Sequence, residues 1–314
     1  MKKIVMIVIF VGVMAVANTA SATIVQGIDI DFVTIGNAGN AGDTRIGYPD
    51  SPYPWNFSPA DSANPYGCGA VGYDYRIGKY EVTNAQWNQF TSAVGAPTGN
   101  PSNAYDENAT YTDGQQPVNN VSWYEALQFC NYLTSGNKSL GAYLFSGNNT
   151  NPGDFLGINR DLAISTYGTA YVIPTENEWY KAAYYTGIDY STYANGTGVA
   201  PIAGDDTNYD GVIGQPWDVG TGIEEQNYTF DMMGNLFEWN ETLVNTETES
   251  HRGIRGGSYY PHLDFDISLR SSYRVHYNMF SEDIDVGIRV ASVPEPCTLA
   301  LMGLGLLALR TRKP

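Results

Sequence analysis

The sequence predicts an α+β fold with little regular secondary structure, about three helices and several short antiparallel strands. Three observations predict it. Two capping boxes begin apolar helical stripes, short strand patterns alternate with long loops, and the composition includes 34 Gly and 24 Tyr in 314 residues. Glycine and tyrosine with few charges suit a loop-rich, extracellular, ligand-contacting domain better than a helical bundle.

The chain begins with the pattern of a secretory signal. Lys2 and Lys3 precede an apolar run at residues 4–17, and small residues ending in an AxA site at 20–22 follow it. This order of charged region, apolar core and cleavage site predicts that residues 1–22 are removed. A signal anchor that stays in place is the alternative, but the cleavage site and the polar sequence after it favour removal.

The middle of the chain is strongly acidic. Without the basic residues at its two ends, the formal charge changes from −17 to about −22. Such a surface repels nucleic acid and anionic lipid, so neither is an expected partner. About 270 residues without a repeat or low-complexity linker favour one large domain.

The first elements follow an irregular segment. Residues 23–74 are predicted to be an irregular N-terminal segment that packs on the main domain, with a strand or two near residues 28–35. Residues 75–82 have a strand pattern, and Thr83 is the predicted cap of a helix with Trp87 and Phe90 on one face.

Two further helices are predicted from capping boxes. Ser122 and Glu125 form an S-x-x-E box before an apolar stripe that includes Cys130, and Thr175 and Glu178 form a T-x-x-E box before Trp179. Each box satisfies the free backbone N–H groups at a helix start.

Beyond residue 183 the sequence predicts short strands and long loops. The candidate strands are residues 237–241, 255–260, 269–275 and 286–291. Arg255, Arg274 and Arg289 lie within or next to these patterns, and we expect them to join loops through buried ion pairs rather than to bind substrate.

Two cysteines, Cys68 and Cys130, lie between the terminal signals, whereas Cys297 lies in the C-terminal tail. In an oxidising compartment Cys68 and Cys130 could form a disulfide. Because Cys130 occupies a core position of a predicted helix, two unrelated buried thiols are the favoured interpretation.

The C-terminal residues 293–314 combine three features of a sorting tail. They contain VPEP at 293–296, an apolar stretch at 299–309 and the basic residues Arg310, Arg312 and Lys313. The stretch is too short for an ordinary membrane span, although the basic end favours a transient halt in a membrane. The arrangement resembles the PEP-CTERM sorting signal of Gram-negative bacteria. The resemblance implies recognition by an exosortase, cleavage near the Pro-Glu-Pro, and delivery to the envelope surface or extracellular matrix.

Six motifs in a fixed order carry a second resemblance. They are YRIGKYEVTN at 75–84, PVNNVSW at 117–123, IPTENEW at 173–179, DMMGNLFEW at 231–239, IRGGS at 254–258 and VGIRV at 286–290. Together they resemble the formylglycine-generating enzyme family, also called sulfatase-modifying factor domains. The resemblance covers residues 75–292 and implies a variant of the C-type lectin fold.

Active members of that family oxidise a substrate cysteine to formylglycine, using oxygen and a copper(I) ion held by two thiolates. Copper(I) is a soft ion that favours sulfur ligands. On the motif register, Pro261 and Asp266 stand at the two cysteine positions, and Ser258, Pro261, His262 and Asp266 together form a degenerate former active site. The tryptophan before the Glu-Trp pair is also changed, to Phe237. The resemblance therefore implies that copper is not bound and that the oxidase activity is absent.

The family also carries structural calcium, and the resemblance places one such site in this chain. Its donors would be Asp231, the carbonyls of Gly234 and Leu236, and Glu238. Oxygen donors of this kind suit calcium. The alternative is a tight turn in which Glu238 pairs with an arginine.

We therefore expect a non-catalytic, ligand-binding or structural protein of the cell envelope or extracellular matrix. Tyr259, Tyr260 and Phe265 could contact a glycan or protein ligand, although any one of them could belong to the core. The alternative is an enzyme, a divergent sulfatase-maturation oxidase that converts cysteine to formylglycine. The sequence leaves the ligand and the oligomeric state open.

Overall fold

The computed structural model describes residues 21–45, 67–245, 250–261 and 265–294. Most of the predicted signal peptide, residue His262 and the tail from Glu295 onward lie outside these described residues. The boundary predicted at residue 75 stays a prediction.

Four α-helices are present in the described residues, one more than the sequence predicted. The three predicted helices are capped by Thr83, Ser122 and Thr175, and each cap has both hydrogen bonds of a capping box. The additional helix begins after Asn159, whose side chain accepts a hydrogen bond from Leu162 N. Only two of its eight residues are buried, so its apolar stripe is too weak to recognise in the sequence. The helices are α1 (Asn84–Val94), α2 (Trp123–Ser135), α3 (Arg160–Tyr167) and α4 (Glu176–Tyr184).

The described strands form two larger sheets and one hairpin. They are β1 (Ser21–Val25), β2 (Ile28–Ile35), β3 (Tyr75–Gly78), β4 (Tyr143–Phe145), β5 (Phe155–Ile158), β6 (Thr169–Val172), β7 (Phe237–Asn245), β8 (Ser250–Arg255), β9 (Val275–Asn278), β10 (Val286–Gly287) and β11 (Ala291–Pro294). The sheet orders are β1-β2-β3-β11-β6 and β10-β7-β8-β9, and β4 pairs with β5. The described pairs are antiparallel except for β10 with β7. The predicted α+β class with short antiparallel strands is confirmed.

Several strand predictions were wrong in their bounds. The strand predicted at 75–82 ends at Gly78, and the one predicted at 286–291 is divided into β10 and β11. The strand predicted at 255–260 lies earlier, because β8 ends at Arg255 and Gly256 and Gly257 have φ values of 103° and 78°. These left-handed conformations suit glycine and turn the chain out of the strand. The strand predicted at 269–275 is replaced by a 3₁₀ turn at Phe265–Leu269, and β9 begins only at Val275.

The core consists of two apolar clusters. One surrounds α2 and includes Trp123, Phe129 and Cys130, and the other surrounds α4 and includes Trp179 and Cys68. Buried ion pairs connect the loops around them, as the sequence predicted. Arg255 and Arg274 both pair with Glu176, at 2.7 Å and 2.6 Å, and Arg289 pairs with Glu238 at 2.6 Å.

Candidate functional site

The glycine turn after β8 places Ser258 in the interior. A Cβ atom on Gly257 would lie 2.7 Å from Leu269 Cδ2, so the 3₁₀ turn packs directly on the glycine. Ser258 is 2% exposed, and its hydroxyl donates a hydrogen bond of 2.7 Å to Asp285 Oδ2. The hydroxyl is therefore a fixed donor to a carboxylate rather than a group directed at solvent.

Pro261 lies at the surface, next to a loop from another part of the chain. Gly211 N donates to Tyr259 O at 2.9 Å, and a Cβ atom on Gly211 would lie 3.0 Å from Pro261 Cβ. Proline offers no side-chain donor atom for a metal. The neighbouring candidate, His262, lies outside the described residues.

Asp266 is held by two protein donors. Arg270 donates to Asp266 Oδ2 from Nη2 at 2.6 Å and from Nε at 3.1 Å, and the Tyr193 hydroxyl donates to the same oxygen. Burial alone would raise the pKa of Asp266, but the hydrogen bonds from Tyr193 and Arg270 outweigh it and hold the pKa below its usual value. Asp266 is thus an ionised carboxylate already neutralised by a guanidinium.

The two described cysteines lie in separate parts of the core. Cys68 and Cys130 are both buried, are not joined by a disulfide, and belong to different core clusters. Burial raises the pKa of Cys130, mainly because the thiolate would lose its hydration. Cys68 and Cys130 therefore do not replace the two thiolates of the family's enzymes, whose positions the resemblance aligns with Pro261 and Asp266.

The two predicted calcium-binding carboxylates have protein partners. Arg289 donates to both carboxylate oxygens of Glu238, and Trp179 Nε1 donates to Glu238 Oε2 at 2.6 Å. Asp231 accepts hydrogen bonds from Trp217 Nε1 at 3.0 Å and from Gly220 N at 2.7 Å. Among the described residues no group of three or more His, Cys, Asp and Glu side chains is arranged to hold a metal ion. Calcium would therefore have to displace the protein partners of Asp231 and Glu238, and the calcium site stays a prediction.

Asp231 and Glu238 belong to a larger buried acidic cluster, together with Glu81 and Glu225. All four are at most 5% exposed, and Arg289 is the cation whose charge acts on each of them. Burial, followed by the charge of Asp231, raises the pKa of Glu81 well above its usual range. Burial also raises the pKa of Glu225 to about 8. Ionising all four carboxyls beside a single guanidinium has a high free-energy cost in a low dielectric. Protons therefore neutralise part of the cluster.

Val212, Ile213, Tyr260 and Pro261 form an exposed apolar surface, which we name the apolar rim. Val212 is 59% exposed, and Ile213 and Tyr260 are each 44% exposed. Tyr259, by contrast, is 1% exposed and packs on Tyr111, with ring centroids 5.6 Å apart. Of the three predicted ligand contacts, Tyr260 is therefore accessible, Tyr259 is part of the interior, and the side chain of Phe265 is outside the described residues.

A family model for the sulfatase-modifying factor enzyme 1-like domain matches residues 61–293. The chain belongs to this family. A second model, for the PEP-CTERM protein-sorting motif, matches residues 292–313. Both resemblances in the sequence are therefore confirmed.

Known proteins with a similar sequence or fold give further context for this family member. A chaperone protein, LppX, of Paenibacillus barcinonensis is 28% identical over 185 residues, which cover 53% of this chain and 61% of that protein. Treponema denticola variable protein 1 is 22% identical, with a TM-score of 0.56, and the alignment covers 85% of this chain and 96% of that one. CarF is 20% identical, with a TM-score of 0.56 and coverage of 85% and 99%. PvdO from Pseudomonas aeruginosa is 16% identical, with a TM-score of 0.51 and coverage of 84% and 94%. At these identities the structures support the fold alone.

The sorting motif of this family member implies export and surface sorting in Gram-negative bacteria through recognition by an exosortase. Within the part of the chain that the structure describes, the helices are too short or too polar to cross a membrane.

Sequence reasoning missed the residues that hold Asp266. Arg270 lies four residues after Asp266, a spacing at which opposite charges meet on a helical turn, so the pair could have been predicted. Tyr193 is 73 residues away in the chain, and nothing in the sequence indicates its contact with Asp266.

Proposed function

We propose that this protein is a non-catalytic, ligand-binding or structural protein of the cell envelope or extracellular matrix. The observation that carries the proposal is the pairing of Asp266 with Arg270 and Tyr193. At the position where the family's enzymes place a copper-binding thiolate, this chain has a carboxylate whose charge is already neutralised within the protein.

Copper(I) chemistry would require a different set of donors. A soft monovalent ion favours thiolates, and a carboxylate or a proline does not replace them. A copper ion at Asp266 would also face the guanidinium of Arg270, which lies 2.6 Å from the carboxylate. Charge repulsion and ligand softness therefore both oppose copper at this position.

The apolar rim is the surface that we assign to ligand binding. Exposed aromatic and aliphatic side chains contribute most of the binding energy at many interfaces. Val212 and Ile213 pack against Gly204, where an added Cβ would lie 2.8 Å from Val212 Cγ1, so the loop presents them in a fixed position. A preordered apolar surface loses less conformational entropy on binding.

Charge limits the class of ligand. The formal charge of −17 for the whole chain disfavours polyanions, which include nucleic acids and highly sulfated or uronate-rich glycans. A neutral glycan, or a protein segment with exposed apolar groups, is compatible with both the negative charge of the chain and the apolar rim.

A glycan array probed with the mature protein tests this proposal. We expect the mature protein to bind neutral glycans. In the double variant Val212→Ser/Tyr260→Ala the binding affinity should fall about tenfold or more, because the variant removes exposed contacts of the apolar rim. Ile188→Ser is the matched control, since Ile188 is 93% exposed on another loop and should not affect binding. If a correctly folded protein binds neither glycans nor matrix proteins through the rim, only a structural role is left.

The alternative is a divergent sulfatase-maturation oxidase, which the family membership favours. The purified protein would be incubated with copper(I), oxygen and a peptide that carries a sulfatase motif. Mass spectrometry then detects conversion of the peptide cysteine to formylglycine. We expect none, and turnover above that of free copper would overturn the non-catalytic proposal.

A further inference from the structure

The sorting motif overlaps the last strand of the domain. The motif match begins at residue 292, whereas β11 extends from Ala291 to Pro294. Ala291 and Ser292 have no exposed surface, and Val293 is 7% exposed. The first residues of the sorting signal are therefore also buried residues of the folded domain.

Strand β11 is a central strand that joins two parts of its sheet. Its neighbours are β3 and β6, and in the described sheet β6 has no other bonded strand. Pairing with β3 includes only Ala291 and Ser292, whereas pairing with β6 continues through Val293 and Pro294. In the described sheet, the end of β11 is thus paired with a strand on one side only, through Ala170 and Thr169 of β6.

A processing enzyme must reach the backbone near the Pro-Glu-Pro, and the pairing of β11 blocks that access. Enzymes that cleave a peptide bond bind an extended segment on both sides of that bond, and exposed backbone without hydrogen bonds is cut most readily. On the N-terminal side of the Pro-Glu-Pro, the segment is β11, which is paired with β6 and whose residues 291–293 are buried. Hydrolysis near the Pro-Glu-Pro would break one peptide bond and add water across it, leaving β11 in the domain and a free amine on the released tail.

We propose that the end of β11 must unpair from β6 before the sorting tail can be removed, so that the β11–β6 pairing controls processing. This inference rests on the proposed sorting and cleavage of the tail. The opening is local, because Val293 and Pro294 can separate from β6 while Ala291 and Ser292 keep their pairing with β3. Local openings of this kind occur more often than global unfolding.

A disulfide across the two strands tests the requirement. Ala170 and Val293 are directly paired, and paired Cβ atoms in antiparallel strands lie close enough for a cystine after a small adjustment. The variant Ala170→Cys/Val293→Cys keeps a similar combined side-chain volume. Ile24→Cys/Asp29→Cys is the matched control, because these residues are paired in β1 and β2 and both are exposed.

The full-length chain is expressed in a Gram-negative host that carries an exosortase, and tail removal is followed over time by mass spectrometry of the C-terminus. We expect the oxidised β11–β6 lock to slow removal about tenfold or more, reduction to restore it, and the β1–β2 lock to have no effect. A flexible Gly/Ser spacer inserted between Pro294 and Glu295 should restore removal in the locked chain, which excludes misfolding as the cause.

Equal processing of the locked and unmodified chains would overturn the inference. Failure to process the unmodified chain would instead overturn the proposed sorting, so the two failures are distinguishable. A locked chain that the spacer does not rescue would also contradict the role of β11.

Discussion

Arg289 and Glu238 form an ion pair in which both side chains are completely buried. Arg289 donates to Glu238 Oε1 from Nη2 at 2.6 Å and from Nε at 3.0 Å, and its remaining donors bind the carbonyls of Gly78 and Phe230. The guanidinium therefore connects the Glu-Trp segment of β7 to the end of β3. The same guanidinium binds the Glu238 carboxylate that the family resemblance assigned to calcium.

Removing the guanidinium should strongly destabilise the fold. In Arg289→Met, Glu238 would be left buried and unpaired, and such losses cost about 3–5 kcal/mol. Urea denaturation measures the free energy of unfolding. Glu224→Gln is the control, because Glu224 is 47% exposed in its pair with Lys79 and should change stability by less than about 1 kcal/mol. Similar effects of the two variants would show that the buried pair has no special role.

Stability should also fall as the pH rises through the range set by Glu225. Burial raises the pKa of Glu225 from 4.5 to about 8, so the folded state holds a proton that the unfolded chain releases above pH 4.5. The contribution is fully present below pH 4.5, is lost as the pH rises towards 8, and is constant above that. Its size is on the order of 5 kcal/mol by proton linkage.

The variant Glu225→Gln tests the assignment through the slope of stability against pH. It should be less stable at pH 5, because its amide cannot accept all the hydrogen bonds from Thr229, Met232 and Met233. Between pH 5 and 9, however, its unfolding free energy should change less than that of the unmodified protein. An unchanged slope would assign the proton to another group, with Glu81 the next candidate.

The parts of this fold that were predictable from sequence depend on local chemistry. Thr83, Ser122 and Thr175 cap helices through residues three positions away, so the signal lies within one turn. The site depends on contacts between distant segments. Nothing near Asp266 indicates Tyr193, and nothing near Glu238 indicates that Arg289, 51 residues later, would bind it rather than another carboxylate. Those contacts depend on the packing of loops, which no short pattern describes.

Calcium should not stabilise the protein at neutral pH. A calcium ion at the predicted site would have to displace Arg289 from Glu238, and Trp217 and Gly220 from Asp231. We expect the same melting temperature in excess EDTA and in millimolar calcium, since only a ligand that binds the folded state raises it. A calcium-dependent rise that disappears in Asp231→Ala would show instead that the carboxylates exchange their protein partners for the ion.

Restoring thiolates should restore copper(I) binding if residues 261 and 266 are the family's metal positions. We expect the double variant Pro261→Cys/Asp266→Cys to take copper(I) from a coloured chelator, because two thiolates suit the soft ion that a carboxylate and a proline do not. The matched control is Pro261→Ser/Asp266→Ser, which removes the same pairing with Arg270 but supplies oxygen. The side chains of Arg270 and Asp266 are 18% and 27% exposed, and loss of their hydrogen bonds should cost each variant about 1.5–3 kcal/mol, a cost that is the same for both. If the cysteine variant takes no more copper(I) from the chelator than the serine variant does, residues 261 and 266 do not form a metal site together. The geometry of the loop, rather than the missing sulfur, would then prevent copper binding.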